Sequence, residues 1–338
     1  MTSQHEPTLT VVVPAYQAES TLPQCLAAMR AAGVSPEEIC VVDDRSTDGT
    51  RAVAEAAGVQ VMTVVEGKGA STARNLGARA ARGDVIVFVD ADVTVHPDAR
   101  ALLLASFRED ADLDALFGSY DAAPAAPGTV SRYRNLLHHF VHQRAPARAY
   151  TFWTGLGAVR RNVFMNSGGF DASTEDIEDV DFGLRLSGRG GQIRLERRLL
   201  GTHLKQWTLA SMVRTDFFGR ALPWTRLLLR REGMRADLNT GPLHRLRAVV
   251  ALCTVAALFA SPLLPTSLGW AMGGLLLFVA LDAAFFRLLL RCGGAPLLVG
   301  GVGLHLIHYL TALGGFGYVC LFEELPRRVR GRLRARRE

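Results

Sequence analysis

The chain has 338 residues, 49% of them hydrophobic, and its 38 lysines and arginines against 32 aspartates and glutamates give a formal net charge of +6. This length allows one large domain or two. The five cysteines have the spacing of neither a metal site nor a redox motif, so we expect reduced, structural cysteines.

The first part of the chain alternates between short β-branched runs and segments with helical spacing. The predicted strands are Leu9–Val13, Glu38–Val42, Val59–Val65, Asp84–Val89 and Leu113–Gly118. The predicted helices between them are Ser20–Ala32, a helix capped by Asp48 or Thr50 that reaches Ala57, Ser71–Ala81, and one that begins near Pro97. This alternation predicts an α/β fold with a doubly wound, mostly parallel sheet and right-handed crossovers.

Acidic side chains follow two of these strands where each strand ends. Asp90 and Asp92 come directly after the fourth predicted strand, and Asp43 and Asp44 follow the second. In open α/β sheets, ligands bind at the carboxyl ends of the strands. Two carboxylates this close repel each other, and a divalent cation shared with a phosphate would relieve the repulsion. We therefore expect a Mg²⁺ or Mn²⁺ site here, although an Asp-x-Asp motif alone could also be an acidic turn that caps the next helix.

A loop with basic groups lies between the two acidic segments. Gly67, Lys68 and Gly69 lead into a predicted helix that carries Arg74. Backbone amides at the start of a helix, together with basic side chains, suit a diphosphate. The loop is therefore a candidate for binding the phosphates of a ligand at the same edge.

A third acidic segment occurs further along the chain. Two Glu-Asp pairs stand at positions 175/176 and 178/179, and the second is followed by Asp181, Gly183 and Arg185. Without the upstream motifs, Glu178 and Asp179 would be interpreted as an acidic first turn that the helix dipole favours.

Together these motifs resemble those of the family-2 glycosyltransferases, which have the nucleotide-diphospho-sugar transferase (GT-A) fold. The resemblance covers residues 9 to about 210, with the motifs in the family's order and spacing. It implies that Tyr16 and Asp44 contact the nucleotide base, that Lys68 and Arg74 lie by the base or diphosphate, and that Asp90 approaches the ribose. The full donor-binding set that it implies is Pro14, Tyr16, Glu19, Asp44, Lys68, Arg74, Asp90 and Ala91.

The same resemblance implies the remaining roles. Only the second Glu-Asp pair is followed by an acid, a glycine and an arginine at the spacing of the family. Asp179 is therefore the expected general base, with Glu178 beside it in the catalytic site. Asp92 and His203 are the expected metal ligands. The expected acceptor-side residues are Trp153, Lys205 and Trp207. His203 and Gln206 replace the Gln and Arg of the Gln-x-x-Arg-Trp pattern of processive members, so polymer synthesis is not expected.

The last third of the chain has the composition of a membrane region. From residue 248 to 322 it is almost entirely apolar, and its charged residues are Asp282, Arg287 and Arg291. Ala248–Leu264 and Leu268–Phe286 each have about the length that crosses a bilayer, and Ala295–Phe322 is longer. Three such stretches in succession predict insertion into a membrane.

Charge predicts the orientation of these stretches. Arginines flank the first stretch and fill the tail, whereas the loop at 261–267 is uncharged, so the positive-inside rule places the first domain in the cytosol. A third full crossing would put the basic tail outside. We therefore expect Ala295–Phe322 to form a re-entrant hairpin or an interfacial pair. The tail is expected to lie on anionic lipid rather than on nucleic acid, because it adjoins a membrane segment.

Four parts of the chain are predicted. They are a cytosolic GT-A domain at 1–230 that includes interfacial helices from about 207, a basic linker at 231–247, a membrane region at 248–322, and a basic cytosolic tail at 323–338. The short polar segment Met1–Pro7 lacks the features of a secretory signal. The expected location is the cytoplasmic (inner) membrane, with several crossings and the catalytic domain facing the cytosol.

The function expected from this resemblance is an inverting, metal-dependent transfer of a sugar. The donor would be a nucleotide-diphosphate sugar, expected to be UDP-linked, and the acceptor a hydroxyl of a lipid or lipid-linked molecule. One alternative acceptor is a polyprenyl phosphate, which is already ionised and needs no general base. A nucleotidyltransferase of the same fold, and a non-enzymatic membrane scaffold that retains a nucleotide-binding domain, are further alternatives.

Overall fold

The structure, a computed structural model, describes residues 6–174, 176–230 and 241–325, with the side chain of Arg230 left out. It divides into two compact units. The first comprises Met1–Pro127 and Asn135–Gln206, and the second comprises Gly128–Arg134 and Trp207–Glu338. The predictions for Glu175, for the linker at 231–240 and for the tail beyond 325 lie outside the described residues.

The first unit is built on one sheet of nine strands. The strands are β1 (Leu9–Ala15), β2 (Ile39–Asp43), β3 (Gln60–Thr63), β4 (Val85–Val89), β5 (Val93–Val95), β6 (Ala115–Tyr120), β7 (Arg148–Ala149), β8 (Leu156–Arg160) and β9 (Ile193–His203). Their order is β3-β2-β1-β4-β8-β6-β9-β5, and β7 pairs with β9.

Helices connect these strands. They are α1 (Leu22–Ala31), α2 (Thr50–Ala56), α3 (Ala70–Ala80), α4 (Ala99–Glu109), α5 (Thr129–Arg144), α6 (Arg161–Asn166) and α7 (Glu178–Gly188). The residues of α5 up to Arg134 are assigned to the second unit. The predicted helices and strands before residue 121 are all present, and most of their ends move by one to three residues.

The parallel half of the sheet confirms the predicted α/β fold. The pairs β1–β2, β1–β4 and β2–β3 are all parallel. Successive residues point to opposite faces of a strand. Val11 and Val87 therefore enter one hydrophobic cluster, whereas Val12 and Phe88 enter a second one. Because both faces of the sheet are covered, β1 and β4 are continuous apolar runs rather than alternating ones.

The other half of the sheet differs from the simple parallel expectation. Strand β8 lies between β4 and β6 and is antiparallel to both. Its sequence, Leu156–Arg160, is short and has one β-branched residue, so it carries little strand signal. Gly157 is required there, because a β-carbon would lie 2.6 Å from Cζ of Phe152 and would overlap the carbonyl oxygen of Trp153. This close approach depends on tertiary contacts that the sequence pattern does not show.

The second unit is helical after residue 207. It contains α8 (Leu209–Arg214), a π-helical segment Thr215–Ala221, α9 (Leu222–Arg230), α10 (Pro242–Ala260), α11 (Ser267–Leu281), α12 (Ala283–Tyr318) and a second π-helical segment Val319–Glu324. Two helical stretches among the described residues, Pro242–Ala260 and Ala283–Glu324, are long and apolar enough to cross a membrane. The intervening α11 has 15 residues and is shorter than the predicted stretch.

The expected hairpin within Ala295–Phe322 is absent from the structure, which has one continuous helix there. The kink lies earlier, at Gly294, whose φ is 66°. Glycine inside a helix costs only about 1 kcal/mol relative to alanine. The pairs Gly300-Gly301 and Gly314-Gly315 therefore need not break this helix. They permit close packing instead: a β-carbon on Gly301 would overlap Leu289, and one on Gly315 would overlap Ala221.

Buried charges also pack inside the second unit. Arg247 pairs with Asp282 at 2.7 Å, and His305 lies 3.2 Å from the same carboxylate. Arg134 pairs with Asp216 at 2.6 Å. A buried ion needs a partner because the isolated charge would lose its hydration, and each aspartate here has a basic partner.

We expect Gly118→Ala to lower the free energy of unfolding by about 1–3 kcal/mol, because overpacking at a close backbone contact is destabilising. Gly118 lies in β6 where the register with β9 shifts, and a β-carbon there would overlap the carbonyl oxygen of Leu199. Thermal unfolding of the purified chain measures the change. Gly188→Ala, at a position at the end of α7 where a β-carbon meets nothing within 4 Å, is the control and should not lower the midpoint. Equal midpoints for the two variants would contradict the expected overlap.

Candidate active site

A cleft of about 580 Å³ opens at the carboxyl ends of β1 and β2. It has both acidic and basic walls, which include Tyr16, Asp44, Arg45, Lys68, Asp176 and Glu178. Four of the predicted site residues therefore meet in one cleft, although Glu178 is distant from the other three in sequence. A cleft of this size can hold a molecule of nucleotide-sugar dimensions.

The phosphate-loop candidate is tied to the end of β2. The amide of Gly69 donates to Oδ2 of Asp44 at 2.7 Å, and Nη2 of Arg45 donates to the carbonyl of Gly67 at 2.6 Å. Gly67 and Gly69 have φ of 79° and 91°, which favour glycine. The loop is thus fixed by its own hydrogen bonds, while the ring of Tyr16 is 65% exposed beside it.

Three of the predicted donor-binding residues lie in the supporting framework. Oε2 of Glu19 accepts from the amide of Gly49 at 2.9 Å, which braces the loop after β2. Pro14 is part of β1, and Ala91 is buried directly after β4. The structure therefore places these residues behind or beside the cleft.

Arg74 forms two short ion pairs that join distant segments. Its Nη2 lies 2.6 Å from Oδ1 of Asp90, and its Nη1 lies 2.6 Å from Oε1 of Glu178. The guanidinium is buried, with 5% of the residue exposed. Burial by itself would lower the pKa of Arg74, but the two carboxylates outweigh it and raise that pKa. The residue expected near the base or diphosphate thus contacts the end of β4 and the start of α7.

Asp92 and His203 form the pair expected to bind a metal. Oδ2 of Asp92 lies 3.4 Å from Nε2 of His203, and the adjacent pairing of Val93 with His203 joins β5 to β9. Burial would raise the pKa of Asp92, but the hydrogen bond and charge of His203, followed by the charge of Lys205, lower it.

The carboxylate of Asp92 suits Mg²⁺ or Mn²⁺, and the imidazole of His203 is a softer ligand that Mn²⁺ accepts more readily than Mg²⁺ does. One carboxylate and one imidazole leave positions for the phosphate oxygens of a substrate, as is common for Mg²⁺. Residues 6–174, 176–230 and 241–325 contain no cluster of three or more His, Cys, Asp or Glu side chains that could bind a metal alone. The residues present therefore fit a metal that is bound jointly with a diphosphate.

Asp179 lies at the start of α7 with two neighbours that orient it. The amide and hydroxyl of Thr154 donate to Oδ2 at 3.3 and 3.4 Å, and the amide of Val180 donates to Oδ1 at 2.7 Å. Burial raises the pKa of Asp179 to about 7, with a further contribution from the charge of Glu178, while Arg74 acts in the opposite direction. Such a carboxylate can accept a proton near neutral pH.

The predicted acceptor-side residues are spread over both units. In the first unit, Trp153 packs edge-on against Tyr120 at 4.9 Å, and Lys205 is exposed after β9. Trp207 belongs to the second unit, where its amide donates to Oγ of Ser131 at 2.9 Å and Arg134 lies 5.4 Å from its ring centroid.

Thr154 and Tyr120 were not identified from the sequence. Thr154 contacts Asp179, and the ring of Tyr120 stacks on His203 with a centroid distance of 4.5 Å. Neither residue stands in a motif with a recognisable spacing. Both reach the site through strand pairings between segments far apart in the chain, so single-sequence patterns contain no signal for them.

Comparisons with known proteins agree on the first unit. The family model described as glycosyl transferase family 2 matches residues 10–168. An uncharacterised glycosyltransferase of Haemophilus influenzae is 25% identical over 192 residues, which are 53% of this chain and 61% of that protein. Validoxylamine A glucosyltransferase of Streptomyces hygroscopicus subsp. limoneus is 27% identical over 240 residues, which are 59% of this chain and 52% of that protein. The chain thus spans about half to three-fifths of the length of these two relatives.

A solved structure has a similar fold along most of the chain. It is a mannosyltransferase from Pyrobaculum calidifontis in complex with GDP-Man and Mn²⁺, with a TM-score of 0.57 and 19% identity, and the match covers 94% of this chain and 88% of that one. At this identity the likeness shows the fold alone. The GT-A fold that the motifs predicted is therefore confirmed, and residues 10–168 of this chain match the glycosyl transferase family 2 domain.

Proposed function

We propose that this protein is an inverting glycosyltransferase that moves a sugar from a nucleotide-diphosphate donor to a hydroxyl of a lipid or lipid-linked acceptor. The observation that carries the proposal is the double ion pair of Arg74. It joins Asp90, at the donor end of β4, to Glu178, which lines the cleft next to Asp179. The proposed donor site would thereby be linked by one ion-pair network to Glu178, the neighbour of the proposed general base.

The donor would lie in the cleft at the ends of β1 and β2. Tyr16 offers an exposed ring for the base, Asp44 lies beside it, and Lys68 contributes a positive charge to the wall. We expect a UDP-sugar. The solved relative with bound GDP-Man makes a GDP-sugar the first alternative to test.

Asp92 and His203 would hold Mg²⁺ or Mn²⁺ together with the donor phosphates. The metal would neutralise charge on the leaving diphosphate. The contribution of the chain is to keep a carboxylate and an imidazole 3.4 Å apart at the junction of β5 and β9.

Asp179 would act as the general base. As the acceptor oxygen bonds to the anomeric carbon, the bond from that carbon to the diphosphate oxygen breaks, and the hydroxyl proton passes to the carboxylate. Thr154 and Val180 would hold the carboxylate in place through their hydrogen bonds. General-base catalysis of this kind typically contributes about 10²–10⁴-fold to the rate.

The acceptor is proposed to be lipidic because two helices of the described residues are long and apolar enough to cross a membrane. Pro242–Ala260 and Ala283–Glu324 have mean hydropathies of 1.6 and 1.5 in their most apolar windows. Large apolar side chains are exposed on these helices and on α11, including Phe259 and Trp270 at 78% each. We propose several crossings of the cytoplasmic (inner) membrane, with the first unit on the cytosolic side, because Arg245 and Arg247 lie near the start of the first crossing helix.

The segment that follows the first unit is proposed to lie at the membrane surface. Leu209, Phe218 and Leu229 expose apolar groups on α8, the π-helical segment and α9. Arg220 on the same segment has a side chain that is 49% exposed. Apolar and basic groups together are typical of helices that lie in the plane of an anionic membrane surface.

The function is tested by incubating membranes that contain the full chain with labelled UDP- and GDP-sugars and Mn²⁺, followed by lipid extraction and mass spectrometry. We expect one donor to label a lipid. Asp179→Asn should reduce product formation by about 10²–10⁴-fold with nucleotide binding retained, because only the proton acceptor is lost. Asp112→Asn, an exposed position in the turn after α4, is the matched control and should retain activity.

Three outcomes of this experiment would contradict the proposal. Substantial transfer by Asp179→Asn would favour a phosphate acceptor that needs no base. Absence of transfer with every donor, despite metal-dependent nucleotide binding, would favour a membrane scaffold. Transfer of a nucleotidyl group rather than a sugar would favour a nucleotidyltransferase.

We expect kcat/KM to increase with pH through a limb centred near the pKa of Asp179, about 7, because the base must be ionised. Below that pKa the rate should fall about tenfold per pH unit. Burial and then the charge of Glu178 raise this pKa, so Glu178→Gln should move the limb to lower pH. Glu37→Gln, on an exposed turn before β2, is the control and should leave the limb in place. If Glu178→Gln leaves the midpoint of the kcat/KM–pH limb unchanged or shifts it to higher pH, the assignment of Asp179 as the base is contradicted.

A further inference from the structure

We propose that Tyr120 is a positioning residue for the metal site, because its ring holds the His203 imidazole in the plane in which Nε2 faces Asp92. This proposal rests on the metal role proposed above for Asp92 and His203. It adds a residue at the end of β6 that lies in none of the sequence motifs.

The two rings are stacked in parallel. Their centroids are 4.5 Å apart and their planes differ by 10°. Tyr120 and His203 are 7% and 9% exposed, so the stack is packed inside the first unit. The terminal torsion of a histidine side chain has a broad range of allowed values, so a free imidazole could turn Nε2 away from a ligand. A flat ring against its face restricts that rotation.

The usual device for orienting a metal-binding histidine is a hydrogen bond from its other ring nitrogen to a carboxylate or a carbonyl. Among the described residues, Nδ1 of His203 has no such partner, and its Nε2 faces Oδ2 of Asp92 at 3.4 Å. The orientation of the imidazole must therefore come from packing. The stacked ring of Tyr120 is the contact with the geometry to supply it.

Tyr120 is itself held by neighbouring groups. Trp153 lies edge-on to it at 4.9 Å with an interplanar angle of 89°, and the ring of His138 lies 4.4 Å away. The amide of Asp121 donates to the carbonyl of Gly201 at 2.9 Å, which ties the end of β6 to β9 two residues before His203. The ring of Tyr120 is therefore held in one orientation by its neighbours.

The same aromatic cluster extends toward the proposed base. Trp153 directly precedes Thr154, whose hydroxyl donates to Oδ2 of Asp179 at 3.4 Å. The cluster of Tyr120, Trp153 and His138 thus supports His203 on the side of the proposed metal. Through Trp153 it also adjoins Thr154, which contacts the proposed base. Loss of the Tyr120 ring is expected to act first on the metal side, where the ring makes its stacked contact.

The test is a titration of the full chain in detergent with Mn²⁺ at one fixed concentration of UDP in every sample, with protein-bound Mn²⁺ followed by electron paramagnetic resonance. Tyr120→Leu removes the flat ring and should weaken Mn²⁺ binding about 10-fold, the lower end of losses seen when an orienting contact of a metal ligand is removed. Tyr120→Phe keeps the ring and should retain the affinity. Tyr150→Leu, which removes a tyrosine that contacts Arg148 outside this site, is the control and should also retain it.

A second pair of variants separates this proposal from the metal role itself. His203→Ala should weaken Mn²⁺ binding, and Tyr120→Leu added to His203→Ala should cause no further loss, because the ring acts through the imidazole. If His203→Ala leaves Mn²⁺ affinity unchanged, the proposed metal role fails, and this proposal fails with it. If His203→Ala weakens binding and Tyr120→Leu does not, only the positioning role is overturned.

Two further results decide between positioning and general packing. An equal loss of affinity from Tyr120→Leu in both backgrounds would mean that the ring supports the fold rather than the imidazole, and would overturn the proposal. Tyr120→Met, which fills more of the buried volume without a ring, is used if Tyr120→Leu does not fold. It should show the same loss of Mn²⁺ affinity, and unchanged binding would overturn the proposal.

Discussion

The candidate site depends on one buried guanidinium that is shared by two carboxylates. Arg74 lies on α3 and reaches Asp90 at the end of β4 and Glu178 at the start of α7, each at 2.6 Å. In the chain, Asp90 is 16 positions from Arg74 and Glu178 is 104 positions from it. Removing one partner of a buried ion pair leaves an uncompensated charge and typically costs about 3–5 kcal/mol. The network therefore fixes the distance between the donor end of the sheet and the helix that carries the proposed base.

This arrangement gives neighbouring carboxylates different acid–base behaviour. Burial and the charge of Glu178 raise the pKa of Asp179, whereas His203 outweighs the burial of Asp92 and lowers its pKa. Carboxylates whose environments move their pKa values in opposite directions are suited to different tasks. These shifts suit Asp92 to the proposed metal site and Asp179 to the proposed role of general base. The difference arises because Asp92 faces the basic His203, whereas Asp179 is more strongly affected by burial and by the acidic Glu178.

Much of this site follows from local sequence pattern, and the rest depends on tertiary packing. The sequence pattern predicts Asp44, Asp90 and Asp92, because polar residues at the ends of apolar strands meet at one edge of a parallel sheet. It predicts Lys68 from the glycine loop that leads into α3. The antiparallel strand β8, which brings Thr154 to Asp179, carries a weak strand signal, and the Tyr120 stack joins residues 83 positions apart. The hairpin expected within Ala295–Phe322 was inferred from the charge of the tail, which does not show that Gly301 and Gly315 are sites of close helix packing. The ion pair of Arg247 and Asp282 was also missed, because a charge near an apolar stretch does not reveal its partner.

On this structure Arg74 holds two carboxylates in place, and we propose that it acts in this way rather than by binding the diphosphate. The decisive measurement compares turnover at saturating donor and acceptor with nucleotide-diphosphate affinity in Arg74→Gln. Turnover should fall by about 10²-fold, the loss that a displacement of about 1 Å in a catalytic group can cause, while the affinity for the nucleotide diphosphate should decrease much less. A large loss of nucleotide-diphosphate affinity with turnover unchanged at saturation would contradict it.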